Sequence, residues 1–462
     1  MSATQLVWLR NDLRLADHPA IYEAQQQGDI ALVVCLTPGQ WQEHNESEAK
    51  FALREQLIDT LFLQAKSLNI SLHVLHLKRF SDCAKAIPAL CSEHHYQQVW
   101  WQNELPVHEA QRDDKVAQAL EEGKIACQRL APDLIVPTPV LNQQNGPFKV
   151  FTPFYKRWLQ ILIQQLSSPY PEPKAQSESI HSDHQSFRSK DFRDDLWPAD
   201  YQAIREKLWR FCHNKEAQYD EDRDFPAVPG TSLLSPYLAL GAIGPRDCLE
   251  AIMYVSQQNN RDWQASVWLK ELAWRDFYKQ LMGHFPDLSK SLPFKPETQQ
   301  VRWNDSEQLF QAWCEGKTGF PIVDAAMRQL NQTGWMHNRL RMITASFLTK
   351  LLLIDWRKGE AYFMSKLIDG EFAANNGGWQ WSASTGCDAA PYFRVFNPTR
   401  QSERFDPDGE FIKRFVPELK PLSAKEIHDP APSVRSKIGY QAPIIDYKAA
   451  RKKAISAFED LK

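Results

Sequence analysis

The first third of the chain alternates between two hydrophobic spacings, and this alternation narrows the fold more than any other feature. Short apolar runs, "QLVWLR", "IALVVCL", "SLHVLHL" and "QVWWQ", are separated by stretches of helical period such as "ESEAKFALREQLIDTLFLQAKSL". One more run, "DLIVPTPV", reads as a last strand before a proline-rich exit. Short runs rich in Val, Leu and Trp suit strands buried on both faces, and the helical stretches suit crossovers between them. The expected fold of this part is therefore α/β, a doubly wound parallel sheet of Rossmann-like form. No dinucleotide site follows from that. The turn after the first run is "RNDLRLAD", without a G-x-G-x-x-G, and no Walker motif occurs.

A chain of 462 residues is too long for one ordinary core. The composition shifts to Ser, Pro and Glu in "SSPYPEPKAQSESIHSDHQS", which is linker chemistry, and helical periodicity dominates beyond it. The expected division is an α/β domain over 1–131, a linker over 132–200 and an all-α domain over 201–462. "WQASVWLKELAWRDFYKQLMGHF" and "WMHNRLRMITASFLTKLLLIDWRKGEAYFMSKLI" are the clearest helical stretches. The tail "YKAARKKAISAFEDLK" reads as a short charged helix with a fraying end. Net charge is −3, so a nucleic-acid partner must meet a local basic patch rather than a polycation. No apolar run is long enough to span a membrane, and the N-terminus carries charges where a signal peptide needs apolar residues. The 8 cysteines form no C-x-x-C pair, which fits reduced thiols in a cytoplasmic protein and no structural metal.

The 16 tryptophans are the unusual statistic, and most follow residue 262. In "SVWLKELAWRDFY", Glu271, Trp274 and Tyr278 fall on one helical face with Arg275 at its shoulder. In "TGWMHNRLRMITASF", Trp335, Asn338, Arg339 and Met342 share a face, while Arg341 points away from Arg339. "AANNGGWQW" sets two glycines between asparagines and tryptophans, which reads as a flat, amide-lined wall on a bent backbone. An aromatic stripe is more often core than ligand site. Repetition of the same mixture weighs the other way: aromatic area, neutral amides and a basic rim suit a flat heteroaromatic ligand and a phosphodiester chain.

Over essentially its whole length the chain resembles the photolyase/cryptochrome family, and within it the bacterial class I cyclobutane pyrimidine dimer (CPD) photolyases. The motifs that carry the resemblance are "WLRNDLRLADHPA", "QYDEDRDFPAVPGTSLLSPYLALGAIGPR", "WLKELAWRDFY", "GKTGFPIVDAAMRQLNQTGWMHNRLRMITASFL" and "LLIDWRKGEAYFMSKLIDGEFAANNGGWQWSASTGCDAAPYFRVFNP". The resemblance implies an antenna-binding α/β domain, a long linker and a helical domain that binds FAD and DNA. It assigns Tyr219, Thr231, Ser232, Ser235, Trp268, Arg275, Asn338, Arg341, Asp369 and Asn375 to FAD, with Arg341 and Asp369 paired. Leu233 and Glu371 depart from the family's arginine and aspartate at those places. The implied reaction is repair: reduced, photoexcited FAD gives an electron to a pyrimidine dimer, the cyclobutane ring splits, and the electron returns.

On the same ground Trp274 and Trp381 would stack on a dimer flipped out of UV-damaged DNA, Glu271 would hydrogen-bond its edge, and Asn338 and Met342 would touch it. Arg223, Arg339 and Arg394 would meet phosphates. Asn375 stands where an Asp marks plant cryptochromes and a Cys many animal ones, and Asn338 and Met342 stand where (6-4) photolyases carry histidines. His337 is one residue off that face. Trp303, Trp356 and Trp379 match the family's tryptophan relay; on spacing alone each reads as a core aromatic. His44, Glu109 and Lys290 match the positions that bind a 5,10-methenyltetrahydrofolate antenna, with an 8-hydroxy-5-deazaflavin as the alternative, although His108 and Ser289 depart from the pattern. The implied protein is a monomer with no obligate protein partner and no membrane.

The competing function is a cryptochrome-type blue-light signalling flavoprotein, for which a C-terminal extension and a different residue in place of Asn375 are expected. A third, an adenylate-binding domain fused to an inert bundle, is disfavoured by the missing phosphate loops and the paired helical faces.

Overall fold

The computed structural model describes residues 4–177, 184, 186, 187, 192–459 and 461, so part of the expected linker lies outside the described residues. The chain packs into two compact units: residues 1–217 with 232–289, and residues 218–231 with 290–462. This division by packing is a different cut from the expected functional boundaries and leaves those open.

The first unit holds a five-stranded parallel sheet in the order β3-β2-β1-β4-β5. The strands are β1 (Gln5–Leu9), β2 (Ile30–Leu36), β3 (Ser71–His76), β4 (Gln98–Gln102) and β5 (Ala126–Leu130). β1 aligns Gln5 with Ile30 of β2 and Leu6 with Val99 of β4, so the order reverses between β1 and β4. Trp8 and Trp101 are fully buried and pack edge to face at 5.7 Å. Four strands coincide with the four alternating runs, as burial on both faces requires.

The fifth strand is a correction. "DLIVPTPV" forms no strand; "ACQRL" does, as a half-exposed edge. Pro137 and Pro139 cannot donate to a ladder. The N–H groups of Ile135 and Val136 donate instead to the Asp276 carboxylate, at 3.4 and 2.9 Å, and that of Val140 to Gln280 at 2.9 Å. The described start of the linker follows the sheet through Gln176, whose side chain pairs with both the N–H and the carbonyl of Ile30. Gly241 (φ 66°) lets the later helices of this unit pack against the loop that follows β1; a Cβ there would meet the Asn11 carbonyl at 2.2 Å.

The second unit is helical around a core that includes Trp313, Met327, Met336, Phe363 and Trp379. The long stretch from Trp335 is not one helix. It divides into Asn338–Ser346, a π turn Phe347–Leu351 and Trp356–Lys366, with Leu353 at φ 53° in the break. Trp335 precedes the first of these and packs on the His337 ring at 6.3 Å, so it does not share a helical face with Asn338 and Met342. "AANNGGWQW" lies in one helix, Phe372–Ala383, which continues without a break through both glycines. The tail helix Tyr447–Glu459 is docked rather than frayed. Its Phe458 is buried against Trp303 at 6.2 Å, with the Lys350 ammonium 3.7 Å from its ring centre.

Candidate functional site

In the first unit, Ser266 caps the Val267–His284 helix by accepting from the Leu269 N–H at 3.2 Å. Leu269, Leu272, Ala273, Phe277 and Leu281 bury one side of it. Glu271, Trp274, Arg275 and Tyr278 are left half-buried on another, while Trp268 packs into the core against Phe211 at 4.8 Å. Arg275 donates to the Asp133 carbonyl at 2.8 Å and lies 3.7 Å from its carboxylate. Arg14 grips the same carboxylate at 2.8 and 3.2 Å. Burial opposes ionisation of Asp133, but Arg14 and Arg275 outweigh it and hold the carboxyl well below its ordinary range. One Arg275 nitrogen, Nη2, is buried with no hydrogen-bond partner among the described residues. That nitrogen is the one 3.7 Å from the Asp133 carboxylate, an ion-pair contact too long for a hydrogen bond. Ser232 and Ser235 flank Leu233, which takes φ 54°, and Ser235 opens the short helix Ser235–Ala239.

The sheet side of this unit carries the expected antenna residues. His44 Nδ1 lies 3.7 Å from Glu109, and its ring is 5.2 Å from that of His108. Burial, then the neighbouring His108, lowers the His44 pKa. Burial, then Glu104, pushes Glu109 up to about 7. Ser289 accepts from the Val107 N–H at 3.3 Å, and Lys290 begins the other unit.

In the second unit, His337 caps the Asn338–Ser346 helix, its Nδ1 accepting from the Arg339 N–H at 3.2 Å. Burial lowers its pKa to about 4, so it is a neutral cap. Arg341 forks onto Asp369 at 2.7 and 3.0 Å and donates through Nε to the Met336 carbonyl at 2.8 Å. Arg339 turns elsewhere, to Asp224 at 2.7 Å, with its guanidinium 4.3 Å from the Phe405 ring centre. Met342 is half-buried. Tyr219 opens a one-turn helix and lies under Arg223 at 6.0 Å; Thr231 is the last residue of that segment, and Arg394 is exposed.

Glu371 caps the Phe372–Ala383 helix, accepting from the Ala374 N–H at 3.2 Å, so the longer acid still serves as a cap. Asn375 donates its side-chain N–H to the Glu360 carbonyl at 3.1 Å, which aims its amide oxygen away from that contact. Behind it, Asn376 donates to the Glu360 carboxyl at 2.9 Å, and Gln380 donates to Asn376 at 3.0 Å. Trp379 lies on Phe363 at 4.9 Å and Trp313 at 6.0 Å, and Trp381 is half-buried. A Cβ on Gly359 would fall 2.2 Å from the Trp379 ring, so that glycine makes room for the indole. Trp356 is fully buried with Arg357 at 4.8 Å over its ring, and Trp303 packs on Phe458. Asp133, Arg14 and Glu360 were not anticipated. The one available signal was that the buried arginine Arg275, like Arg341, wants a carboxylate.

Residues 5–174 match the DNA photolyase family, and residues 268–460 match the FAD binding domain of DNA photolyase. A Vibrio cholerae relative named deoxyribodipyrimidine photo-lyase is 42% identical over 99% of this chain and 100% of its own. The chain belongs to the DNA photolyase family. Its FAD-binding domain is the part that contains Arg275, Arg341, Asp369 and Asn375. Two solved structures are also similar. A bacterial class III photolyase from Agrobacterium tumefaciens has TM-score 0.88 and 33% identity, covering 100% of this chain and 98% of that one. A Synechocystis cryptochrome has the same TM-score, 0.88, at 26% identity, covering 98% of this chain and 99% of that one. The photolyase fold therefore does not separate repair from signalling, and the separation has to come from individual residues. Among the described residues no helix is long and apolar enough to cross a membrane, and no group of three or more His, Cys, Asp and Glu is arranged to hold a metal.

Proposed function

We propose that the chain repairs UV-damaged DNA as a deoxyribodipyrimidine photo-lyase, by light-driven electron transfer from reduced FAD to cyclobutane pyrimidine dimers. The observation that carries this reading is Asn375, whose amine is tied to the Glu360 carbonyl at 3.1 Å. It offers a neutral amide oxygen, with no readily ionised proton, where the family resemblance implies an acid in plant cryptochromes and a thiol in many animal ones. The donor set suits FAD. Arg341 is charge-balanced by Asp369, and Arg275 keeps hydrogen-bonding capacity at Nη2, which is ion-paired to Asp133 at 3.7 Å but not hydrogen-bonded. Tyr219, Thr231, Asn338 and Asn375, with Ser232, Ser235 and Trp268, complete the assignment. When bound and reduced, FAD supplies on absorbing blue light the electron that opens the cyclobutane ring, and takes it back afterwards.

The chain's part is to bind and orient. Trp274 and Trp381 stack on the flipped-out dimer, Glu271 hydrogen-bonds its edge, and Asn338 and Met342 limit its position. Arg223, Arg339 and Arg394 meet the phosphates, and Arg339 exchanges Asp224 for that contact. Trp303, Trp356 and Trp379 would relay an electron from a reductant in solution at the protein surface to the flavin under light.

The antenna in this reading is 5,10-methenyltetrahydrofolate at His44 and Glu109, and the second choice is an 8-hydroxy-5-deazaflavin. The choice of folate rests on the family resemblance at His44, Glu109 and Lys290. The functional domains are taken as 1–131, 132–200 and 201–462. The protein works as a cytoplasmic monomer, and cysteines held as thiols fit a reducing compartment.

The test is to mix reduced protein with a dimer-bearing oligonucleotide, illuminate with blue light and count dimers. Light-dependent loss is expected. No loss above the dark and flavin-free controls rejects the reading, and in that case a light-driven flavin change without repair would favour the cryptochrome-type alternative.

A further inference from the structure

A row of parallel rings crosses the first unit. Trp158, Tyr155 and Phe151 come from the Phe151–Gln164 helix, and Trp274 and Tyr278 from the Val267–His284 helix. Trp158 and Tyr155 lie 21° apart in plane, Tyr155 and Phe151 24°, Phe151 and Trp274 7°, and Trp274 and Tyr278 27°. The row is anchored at its far end. Trp158 is fully buried and donates its indole N–H to Asp276 at 2.9 Å, and Asp276 also holds the Val136 N–H at 2.9 Å.

The Phe151–Trp274 pair stands out within this row. Its ring centres are 3.7 Å apart and nearly parallel, a face-to-face sandwich. That is the least favoured aromatic geometry, because the two faces carry the same partial charge. The neighbouring pairs relax as expected: Phe154 and Phe277 are tilted by 59°, and Trp274 and Phe277 meet edge to face at 78°. Core packing alone would have turned Phe151 in the same way. Instead Phe151 lies flat against the indole, Phe277 packs edge-on to it at 5.6 Å, Tyr278 lies 5.3 Å away at 27°, and Trp274 itself stays half-buried. The plane of Trp274 is therefore set before any ligand arrives, which lowers the ordering cost of binding a flat one.

From this geometry we infer that Phe151 is a positioning residue for the substrate: it holds the Trp274 indole in the plane on which a pyrimidine of the dimer stacks. The inference rests on the reading of Trp274 as a dimer-stacking residue. Phe151 touches neither cofactor nor substrate and acts through Trp274.

The test uses the full FAD-loaded chain and one duplex, with and without a dimer, and compares Phe151→Leu, Phe151→Tyr and Trp274→Ala by fluorescence anisotropy. Phe151→Leu keeps an apolar side chain but removes the flat face. It is expected to raise Kd for the dimer duplex on the order of tenfold, as partial loss of one stacking contact implies. Kd for undamaged duplex should not move, and repair per bound complex should stay within about twofold, since stacking on the ground state is what is lost. Phe151→Tyr, which restores a flat ring, should return the dimer Kd to within about twofold of the parent. If Phe151→Leu leaves the dimer Kd unchanged, or weakens both duplexes equally, the positioning role is overturned. Trp274→Ala separates the two levels. If it weakens dimer binding and Phe151→Leu does not, only the Phe151 inference fails; if neither does, the stacking role of Trp274 fails as well.

Discussion

In the sheet-bearing unit Glu46 sits against Arg54 at 2.8 Å and Lys50 at 3.2 Å, whereas in the helical unit Glu360 meets the Asn376 amide at 2.9 Å. Both carboxyls are buried. Burial opposes the charge of each, but the two cations outweigh it for Glu46 and pull its pKa down to about 2. The neutral amide does not outweigh it for Glu360, whose pKa rises to about 7. The same contrast runs through Arg14, Asp133 and Arg112 on one side and the Glu360–Asn376–Gln380 chain on the other. The sheet unit buries charge in pairs. This part of the helical unit buries amides and indoles with little fixed charge, a setting in which a neutral flat ligand displaces no ion pair. Glu109 departs from this pattern, pushed up by burial and Glu104 against the opposing charge of Arg112, and so does Asp247, raised to about 6 by burial and Asp17; Glu109 lies at the candidate antenna position.

The strongest way to break this contrast is Arg14→Met, which leaves Asp133 and Asp17 buried against less positive charge. A loss of about 3–5 kcal/mol is expected in urea unfolding of the intact chain. A neutral result would mean that the paired charges do not hold the sheet unit together.

Next come two substitutions of opposite sign. The Glu360 pKa is raised on folding, so its contribution is complete below about 4.5 and is lost as pH rises through about 7. Glu360→Gln should therefore stabilise the protein at pH 8 by up to about 3 kcal/mol and do little at pH 4. The Glu46 pKa is lowered on folding, so its contribution is present above about 4.5 and is lost as pH falls through about 2. Glu46→Gln should destabilise at pH 7 by a similar amount, with the difference shrinking in acid. Unfolding curves at several pH values check both, and parallel profiles for the two variants would abolish the contrast.

A smaller effect sharpens the packing side of the comparison. Gly359→Ala drives a methyl into the Trp379 ring and should cost about 1–3 kcal/mol. Gly378→Ala meets nothing within 4 Å on an exposed helical position and should gain somewhat under about 1 kcal/mol. Thermal midpoints in opposite directions are expected. The smallest effect is that of Arg339→Ala, which should weaken DNA binding a few-fold and flatten its salt dependence by about one charge, measured as the slope of log Kd against log salt.

The two units also differ in how much of each was legible in the sequence. In the sheet unit four strands follow directly from apolar runs, because a strand buried on both faces leaves no other pattern. β5 was missed because "ACQRL" is a half-exposed edge with no such run, and "DLIVPTPV" imitated one despite prolines that forbid a ladder. In the helical unit periodicity failed where polar groups are buried. Lys350 is fully buried within the π turn, bound to Ser384 at 2.8 Å, and the break after it is invisible to a count of apolar positions. The paired glycines of "AANNGGWQW" imply a helix break by propensity, yet the helix continues through them. The Arg341–Asp369 pair was anticipated through family resemblance rather than from spacing. The Phe151–Trp274 stack, between residues far apart in sequence, had no local signal at all.

The central claim is that an electron passes from light-excited reduced flavin in this chain to a dimer bound against it. Time-resolved fluorescence of the reduced, FAD-loaded protein tests that step without waiting for product. Saturating dimer-bearing oligonucleotide is expected to shorten the excited-state lifetime of the flavin, while the same oligonucleotide without the dimer leaves it unchanged. An unaltered lifetime with the dimer demonstrably bound would contradict the claim.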